Sequence, residues 1–383
     1  MLSTNCVVFS SEILSRIGAE NSMTMSHTKI SKRDPEASPF PLIELREHGG
    51  DGECDAEIPH KVVSALKSSG FLLITSPSVS KELQEKVLQT ARDIFALHAN
   101  SPLSIGTKGT NENNSDTKII THPTDPKLYV MLESRDDITT WNSVSKPQRD
   151  ILSEYWTALE QVKKQVLKCI AIGLGLPSSN YFVDLHEQNN SALRLLSYPP
   201  MQESTSSSVS TTKLEPKDMP TETMIRCKPH SDYGSITLLL TDGAPGLQAL
   251  IDDKWTMVPH VPGALVVNIG SLLGDWTNGE LLATLHRVVF VEKDGGTTRP
   301  RISLAFFADP DKNVATNLRL SKQDNRFDEK VTKVNNTATM NVAEYIQWRS
   351  GGIPGDKKRS GVAYTNGEEA RAQQARMKKL KVE

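Results

Sequence analysis

His230 and Asp232 stand two residues apart in "KPHSDYGSITLLL", directly ahead of an apolar run. Residues i and i+2 of an extended chain project to the same side. A strand here would therefore put an imidazole and a carboxylate into one space, which is half of a metal site. A lone HxD pair is too short to carry that reading, since a surface strand with two polar residues on its wet face gives the same pattern. A further donor has to come from elsewhere. "LLATLHRVVFVEKDGG" offers one: His286 opens a strand pattern 54 positions after Asp232, room for several strands to bring the chain back. Two imidazoles and one carboxylate form a facial triad suited to iron(II), with open coordination positions. "RPRISLAFFADP" then places Arg301 and Ser303 at i and i+2 of a strand. A guanidinium fork and a hydroxyl on one face make an anion clamp for a carboxylate. A cosubstrate with a carboxylate at one end and a chelating group at the other would fit between triad and clamp.

These residues need a β scaffold, and the pattern supplies one. From Ser191 to Pro310 the runs are short, β-branched and punctuated by turn signals: "LRLLSYPP", "GSITLLL", "LQALI", "KWTMVP", "ALVVNIG" and "RISLAFF". Such spacing marks an all-β barrel or sandwich. Ahead of it, "FPLIELREH" and "FLLITSP" read as strands. "DAEIPHKVVSALKSSG", "SKELQEKVLQTARDIFALH" and "SKPQRDILSEYWTALEQVKKQVLKCIAIGLGLP" carry apolar residues at helical spacing. The expected layout is a leader over 1–39, a helical and strand region over 40–190, a catalytic β core over 191–310, a segment over 311–350 and a charged tail over 351–383. Within the core, "QESTSSSVSTTKLEPKDMPTETM" (202–224) is a Ser/Thr/Pro-rich insert between Tyr198 and His230, read as a loop beside the site mouth. "NSPLSIGTKGTNENNSDT" reads as a second loop.

Composition excludes little but is consistent. The 383 residues carry a formal net charge of -2, which gives no global pull toward nucleic acid or an anionic membrane. No apolar run is long enough to span a bilayer. Cys6, Cys54, Cys169 and Cys227 form no CxxC pair, which suits a reducing compartment. The expectation is a cytoplasmic monomer acting on a small molecule, with organellar import through the Ser/Thr-rich leader as the alternative.

The flanking words carry a resemblance. "FPLIEL", "SSGFLLITSP", "LRLLSYPP", "PHSDYGSITLLLTDGAPGLQAL", "KWTMVPHVPGALVVNIGSLLGDWTNGELLATLHRVV" and "RPRISLAFFADPD" occur in the order and spacing of the isopenicillin N synthase-like iron(II)/2-oxoglutarate-dependent dioxygenases. The chain resembles that family from about Phe40 to Tyr345. The resemblance implies a mainly β fold with flanking helices, built on a double-stranded β-helix (a cupin-like jelly roll). It implies His230, Asp232 and His286 as catalytic iron ligands, with Arg301 and Ser303 on the distal carboxylate of 2-oxoglutarate. Tyr198 matches the family tyrosine on that same carboxylate. Where many plant members have an asparagine two residues before that tyrosine, Leu196 stands here. Phe307 shares the Arg301 face of a regular strand and is a candidate substrate contact, with a core aromatic as the plainer reading. Fe(II), 2-oxoglutarate and dioxygen are the implied cofactor and cosubstrates, and ascorbate a candidate reductant. The implied reaction releases succinate and carbon dioxide while a substrate C–H bond is oxidised, by hydroxylation, desaturation or ring closure.

Three rivals use the same residues. An oxidase of the same fold, like isopenicillin N synthase or the ethylene-forming oxidase, would not consume 2-oxoglutarate. A zinc hydrolase could use the triad but leaves the Arg301–Ser303 pair without a task. A catalytically inactive jelly-roll binding module would be signalled by an incomplete triad. His122 and His186 fall outside the motifs, His260 in "VPHVPG" reads as a turn residue rather than a ligand, Asp242 and Asp275 read as turn residues, and Trp255 and Trp276 read as core.

Overall fold

The computed structural model describes residues 38–46, 57–96, 118–200, 224–291, 299–318 and 340–350. The leader, the tail, the polar loop after the second helix and residues 202–223 of the insert lie outside them. A short strand β1 (Leu42–Glu44) is followed by helix α1 (Glu57–Ser68), β2 (Phe71–Thr75) and α2 (Lys81–Ala96). Then come β3 (Ile120–Thr121), β4 (Leu128–Leu132), α3 (Arg135–Thr139), the long α4 (Lys146–Gly173) and α5 (Tyr181–Asp184). The β-rich part runs β5 (Ser191–Tyr198), β6 (Ile225–His230), β7 (Ile236–Thr241), β8 (Leu247–Ile251), β9 (Lys254–Met257) and β10 (Leu265–Ile269). It closes with α6 (Ser271–Trp276), β11 (His286–Val289), β12 (Arg301–Ala308) and, further on, α7 (Val342–Ser350).

The strands form two sheets. One has eight strands in the order β1-β2-β10-β7-β12-β5-β4-β3, the other four in the order β6-β11-β8-β9. This is the expected double-stranded β-helix with helices on one side. Alternation along each strand divides the apolar residues into two layers. Leu193, Leu195, Leu238, Leu240, Leu304 and Phe306 share a core with Val62, Val87, Trp156 and Val166 of the helices. Leu196, Tyr198, Val266 and Ala305, from the same large-sheet strands, share a second core with Cys227, Leu247, Ala249 and Val288 of the small sheet. Helices therefore cover one face of the large sheet, and the other face meets the small sheet. That inter-sheet space is where triad and clamp meet.

Helix α4 is the main brace. Ser145 and Gln148 form a reciprocal cap with a proline near the start, and Leu152, Tyr155, Trp156, Leu159, Val162 and Val166 make its buried stripe. The chain leaves it through Gly175 at φ 72°, a left-handed position that glycine takes without strain. Gly70 has a comparable task between α1 and β2. Its φ is 74°, and a Cβ there would lie 2.1 Å from the Leu282 carbonyl oxygen.

Two sequence expectations change. The strand carrying the HxD pair stops at His230, so Asp232 sits in the loop before β7 and not on a strand face. Trp255 is half-buried on the edge strand β9, with the Arg287 guanidinium 4.2 Å from its ring centroid, whereas Trp276 is fully buried as expected. Strands β3 and β4 were not legible as such, nor were α3, α5 and α6. Strand β4 pairs with β5 and extends the large sheet beside the site. Among the described residues no helix is long and apolar enough to cross a membrane.

His186 shows how burial makes stability depend on pH. Its Nδ1 is 2.6 Å from the Phe182 carbonyl oxygen and its Nε2 is 3.0 Å from Ser235 Oγ. Burial above all pushes its pKa down to about 4. The unfolded chain takes up this proton first, so stability is lost as pH falls from about 6.5 toward about 4. The loss ascribed to this residue should approach roughly 3 kcal/mol at the acid end. Urea unfolding of wild type and His186→Gln across that window should show a smaller pH-dependent loss in the variant. Equal slopes would contradict the assignment.

Candidate active site

The pairing of β6 with β11 sets His230 directly opposite His286, with ring centroids 4.3 Å apart. Asp232 is brought to them by the loop, which the start of α6 holds in place. The Ser271 amide donates to the Asp232 carbonyl at 2.7 Å, the Leu272 amide to Tyr233 at 3.0 Å and the Gly270 amide to Ser235 at 2.9 Å. Gly270 is required for this approach, since a Cβ there would stand 2.2 Å from the Gly234 carbonyl oxygen. The result is that one donor atom from each of His230, Asp232 and His286 lies within 4.8 Å of the others. Asp232 Oδ1 is 3.8 Å from His230 Nε2 and 3.7 Å from His286 Nε2.

The outer atoms of the triad are already engaged. His230 Nδ1 is 2.8 Å from the Lys228 carbonyl oxygen and His286 Nδ1 is 3.1 Å from that of Thr284. A carbonyl only accepts, so both Nδ1 atoms carry the proton and both Nε2 lone pairs face inward. The second carboxylate oxygen of Asp232 accepts from Thr237 Oγ1 at 2.6 Å and Asn268 Nδ2 at 2.7 Å, which turns Oδ1 toward the histidines. Burial pushes the pKa of both histidines down, for His286 with help from His230, so the imidazoles are kept neutral. Burial works against the charge of Asp232, but the hydrogen bonds from Asn268 and Thr237 favour the carboxylate, and its pKa lies below the usual range. Two neutral imidazoles and one carboxylate, with lone pairs converging, fit a divalent transition metal.

The outer contacts carry a prediction. Asn268→Ala removes one of the two hydrogen bonds that orient the carboxylate. It should weaken metal binding by roughly 10–100-fold while leaving all three ligands in place. Competitive chelator titration of the metal checks this, and unchanged affinity would show that Thr237 alone is enough.

Arg301 and Ser303 line the same pocket as the triad. Arg301 is 2% exposed and Ser303 1%. Arg301 Nε donates to the Ala244 carbonyl at 3.2 Å and Nη1 to Ser303 Oγ at 3.3 Å, so the pair is set as one unit. Tyr198 is the register partner of Arg301 across β5 and β12, and the guanidinium carbon is 5.2 Å from its ring centroid. Burial pushes the Tyr198 hydroxyl up to about 12, which keeps it protonated as a donor. Phe307 also lines the pocket, on the Arg301 face as expected.

Several pocket residues were not singled out in the sequence. Asn268 and Thr237 had a readable signal, as polar residues inside the apolar runs "LVVNI" and "ITLLL". Lys127 had none: it precedes β4, and its Nζ is 2.9 Å from Asp125 Oδ2 and 3.1 Å from Cys227 Sγ. Arg194 and Phe71 also line the pocket, with Phe71 edge-on to His286 at 5.6 Å between centroids. Three other described histidines have partners outside the triad. His260 Nδ1 is 3.1 Å from Thr241 Oγ1, His122 Nδ1 accepts from the Asp125 amide, and His186 sits in its own buried contact.

Comparison with known proteins places these residues in context. The family model for the 2OG-Fe(II) oxygenase superfamily matches residues 189–310. The chain is 28% identical over 286 residues to a 2-oxoglutarate-Fe(II) type oxidoreductase, hxnY, of Emericella nidulans, covering 68% of this chain and 76% of that one. It is 27% identical over 300 residues to jasmonate-induced oxygenase 3 of Arabidopsis thaliana, covering 75% and 76%. Among solved structures, a full-length Neurospora crassa protein in complex with alpha-KG and 5-formyluracil superposes with a TM-score of 0.60 at 22% identity, over 80% of this chain and 94% of that one.

Proposed function

The chain belongs to the 2OG-Fe(II) oxygenase superfamily, and from that starting point we propose how its residues divide the work of an Fe(II)- and 2-oxoglutarate-dependent dioxygenase. His230, Asp232 and His286 hold the iron through Nε2, a carboxylate oxygen and Nε2. Arg301, Ser303 and Tyr198 hold the distal carboxylate of 2-oxoglutarate. Bound by the triad, iron would supply the oxidation of a substrate C–H bond by dioxygen, coupled to conversion of 2-oxoglutarate to succinate and carbon dioxide. The protein's share is positioning. Thr237 and Asn268 aim the carboxylate, the Lys228 and Thr284 carbonyls fix the imidazole tautomers, and Phe71 packs edge-on against His286. Leu196, at the position where the family resemblance leads one to expect asparagine, lines the pocket without a polar atom, so the cosubstrate rests on Arg301, Ser303 and Tyr198.

The observation that carries this reading is the convergence of three inward lone pairs in a pocket that also contains the buried Arg301–Ser303 pair. A zinc hydrolase would need the metal site and leave the clamp without a partner. Membership of the isopenicillin N synthase-like branch, action on a small organic metabolite, a monomeric state and a cytoplasmic location complete the proposal. The 202–224 insert is read as a loop beside the site. Flanking it, Arg226 Nη2 donates to the Pro199 carbonyl at 3.1 Å.

Anaerobic equilibrium binding tests the division of labour. The protein should take up one iron per chain and bind 2-oxoglutarate tightly only when metal is present. His286→Ala should lose both. Metal-independent binding of 2-oxoglutarate at full affinity would remove the chelate from the proposal.

A further inference from the structure

Three cationic side chains line the pocket: Arg301, Lys127 and Arg194. Their charges are not equally matched. Arg301 is set against the 2-oxoglutarate carboxylate in the proposal above, on which this inference rests. Lys127 is neutralised by Asp125 at 2.9 Å, both side chains being nearly fully buried. Arg194 has no such partner. Among the described residues its side chain forms no hydrogen bond or ion pair, and its Nε is buried with nothing to donate to. Its guanidinium carbon lies 5.1 Å from the centroid of Tyr129 and 5.3 Å from that of Phe307, so two aromatic rings hold it in place.

With Arg301 assigned to the cosubstrate and Lys127 paired with Asp125, Arg194 is the lining cation whose side chain has no partner among the described residues. A buried, unpaired donor on a permanently charged group is costly, and a site that keeps one has a use for an anion there.

We propose that Arg194 is a specificity-determining residue that binds the carboxylate of the organic substrate, and that this substrate is a small monocarboxylic acid with an apolar body. The body is argued from the rest of the wall. Phe307, which contacts Arg194, and Leu196, Leu239 and Val288 line the same pocket and offer apolar surface. Arg194 and Tyr198 are on the same face of β5, four residues apart, so the substrate carboxylate and the cosubstrate carboxylate take separate cations on one strand.

The test uses full-length protein loaded with Fe(II) and saturating 2-oxoglutarate without oxygen, so that the Arg301 clamp is filled and nothing turns over. Phenylacetate and 3-phenylpropanoate are titrated calorimetrically beside their neutral amides. In wild type at least one acid should bind about tenfold or more tightly than its amide. In Arg194→Met, checked for folding by thermal melting, the two should fall within about twofold, and Arg194→Lys should restore part of the preference. No acid outbinding its amide in wild type would overturn the inference, as would a preference that survives in Arg194→Met. A parallel titration with 2-oxoglutarate separates the two readings. If the cosubstrate itself fails to bind, the dioxygenase assignment of the pocket fails; if it binds and acids show no preference, only the substrate class fails.

Discussion

Asp232→Ala should abolish iron binding and turnover. Asp232 is the sole carboxylate of the triad, and Oδ1 faces both imidazole Nε2 atoms at less than 4 Å. Removing an outer-shell contact typically costs roughly 10–100-fold in metal affinity, so loss of a ligand that is also the anionic one should exceed that range. The fold should survive, because Asp232 sits in a loop pinned by main-chain bonds from Gly270, Ser271 and Leu272 that the substitution does not touch. A smaller cost remains in the metal-free protein. Thr237 Oγ1 and Asn268 Nδ2 both lose their acceptor in a buried space, at about 1–3 kcal/mol for each donor left unsatisfied. Iron content after reconstitution, succinate formation and urea unfolding of the metal-free variant check the three parts. A variant that retained iron and full turnover would remove Asp232 from the ligand set.

The second large effect belongs to Arg301. Truncating one partner of a buried, hydrogen-bonded charge pair costs about 2–5 kcal/mol. Arg301→Met should therefore weaken 2-oxoglutarate binding by roughly 30-fold to several thousand-fold. Arg301→Lys keeps the charge but loses the planar fork and with it the set contact to Ser303 Oγ. One charge-assisted hydrogen bond is worth about 1.5–3 kcal/mol, so the expected loss is roughly 10- to 150-fold. Iron affinity in both variants should change far less than the affinity for 2-oxoglutarate. If the lysine variant bound the cosubstrate like wild type, the carboxylate would have to be held elsewhere in the pocket.

The HxD pair and the Arg301–Ser303 pair were legible because each depends on short-range spacing, whereas His286, 54 positions after Asp232, was singled out only as a histidine opening a strand pattern. Arg301 and Ser303 lie two apart on one strand, and His230 and Asp232 bracket a single residue. The period-2 runs around them fixed a β scaffold. The actual device that aims Asp232 was not readable. It is a turn, closed by the first amides of a six-residue helix, and so short a helix leaves little periodic signal. Lys127 and Arg194 were missed for another reason. Arg194 alternates with leucines in "LRLLSY", and the inward face of that strand is known only once β12 and β4 are paired on either side of it. Lys127 reaches the pocket through tertiary contact with Cys227, 100 positions away, which local patterning cannot reveal. Trp255 shows the opposite error. A large aromatic was read as core, but its strand lies at a sheet edge, where an arginine covers it.

The most direct test of the account follows 2-oxoglutarate itself. Metal-free protein is reconstituted with Fe(II), supplied with 2-oxoglutarate and oxygen, and succinate is measured against 2-oxoglutarate consumed. Succinate should appear one for one with 2-oxoglutarate lost, only when iron is present, and in neither Asp232→Ala nor Arg301→Met at comparable cosubstrate concentration. Protein that binds iron and consumes oxygen with its substrate while 2-oxoglutarate remains intact would contradict the account and assign the same site to an oxidase that does not use this cosubstrate.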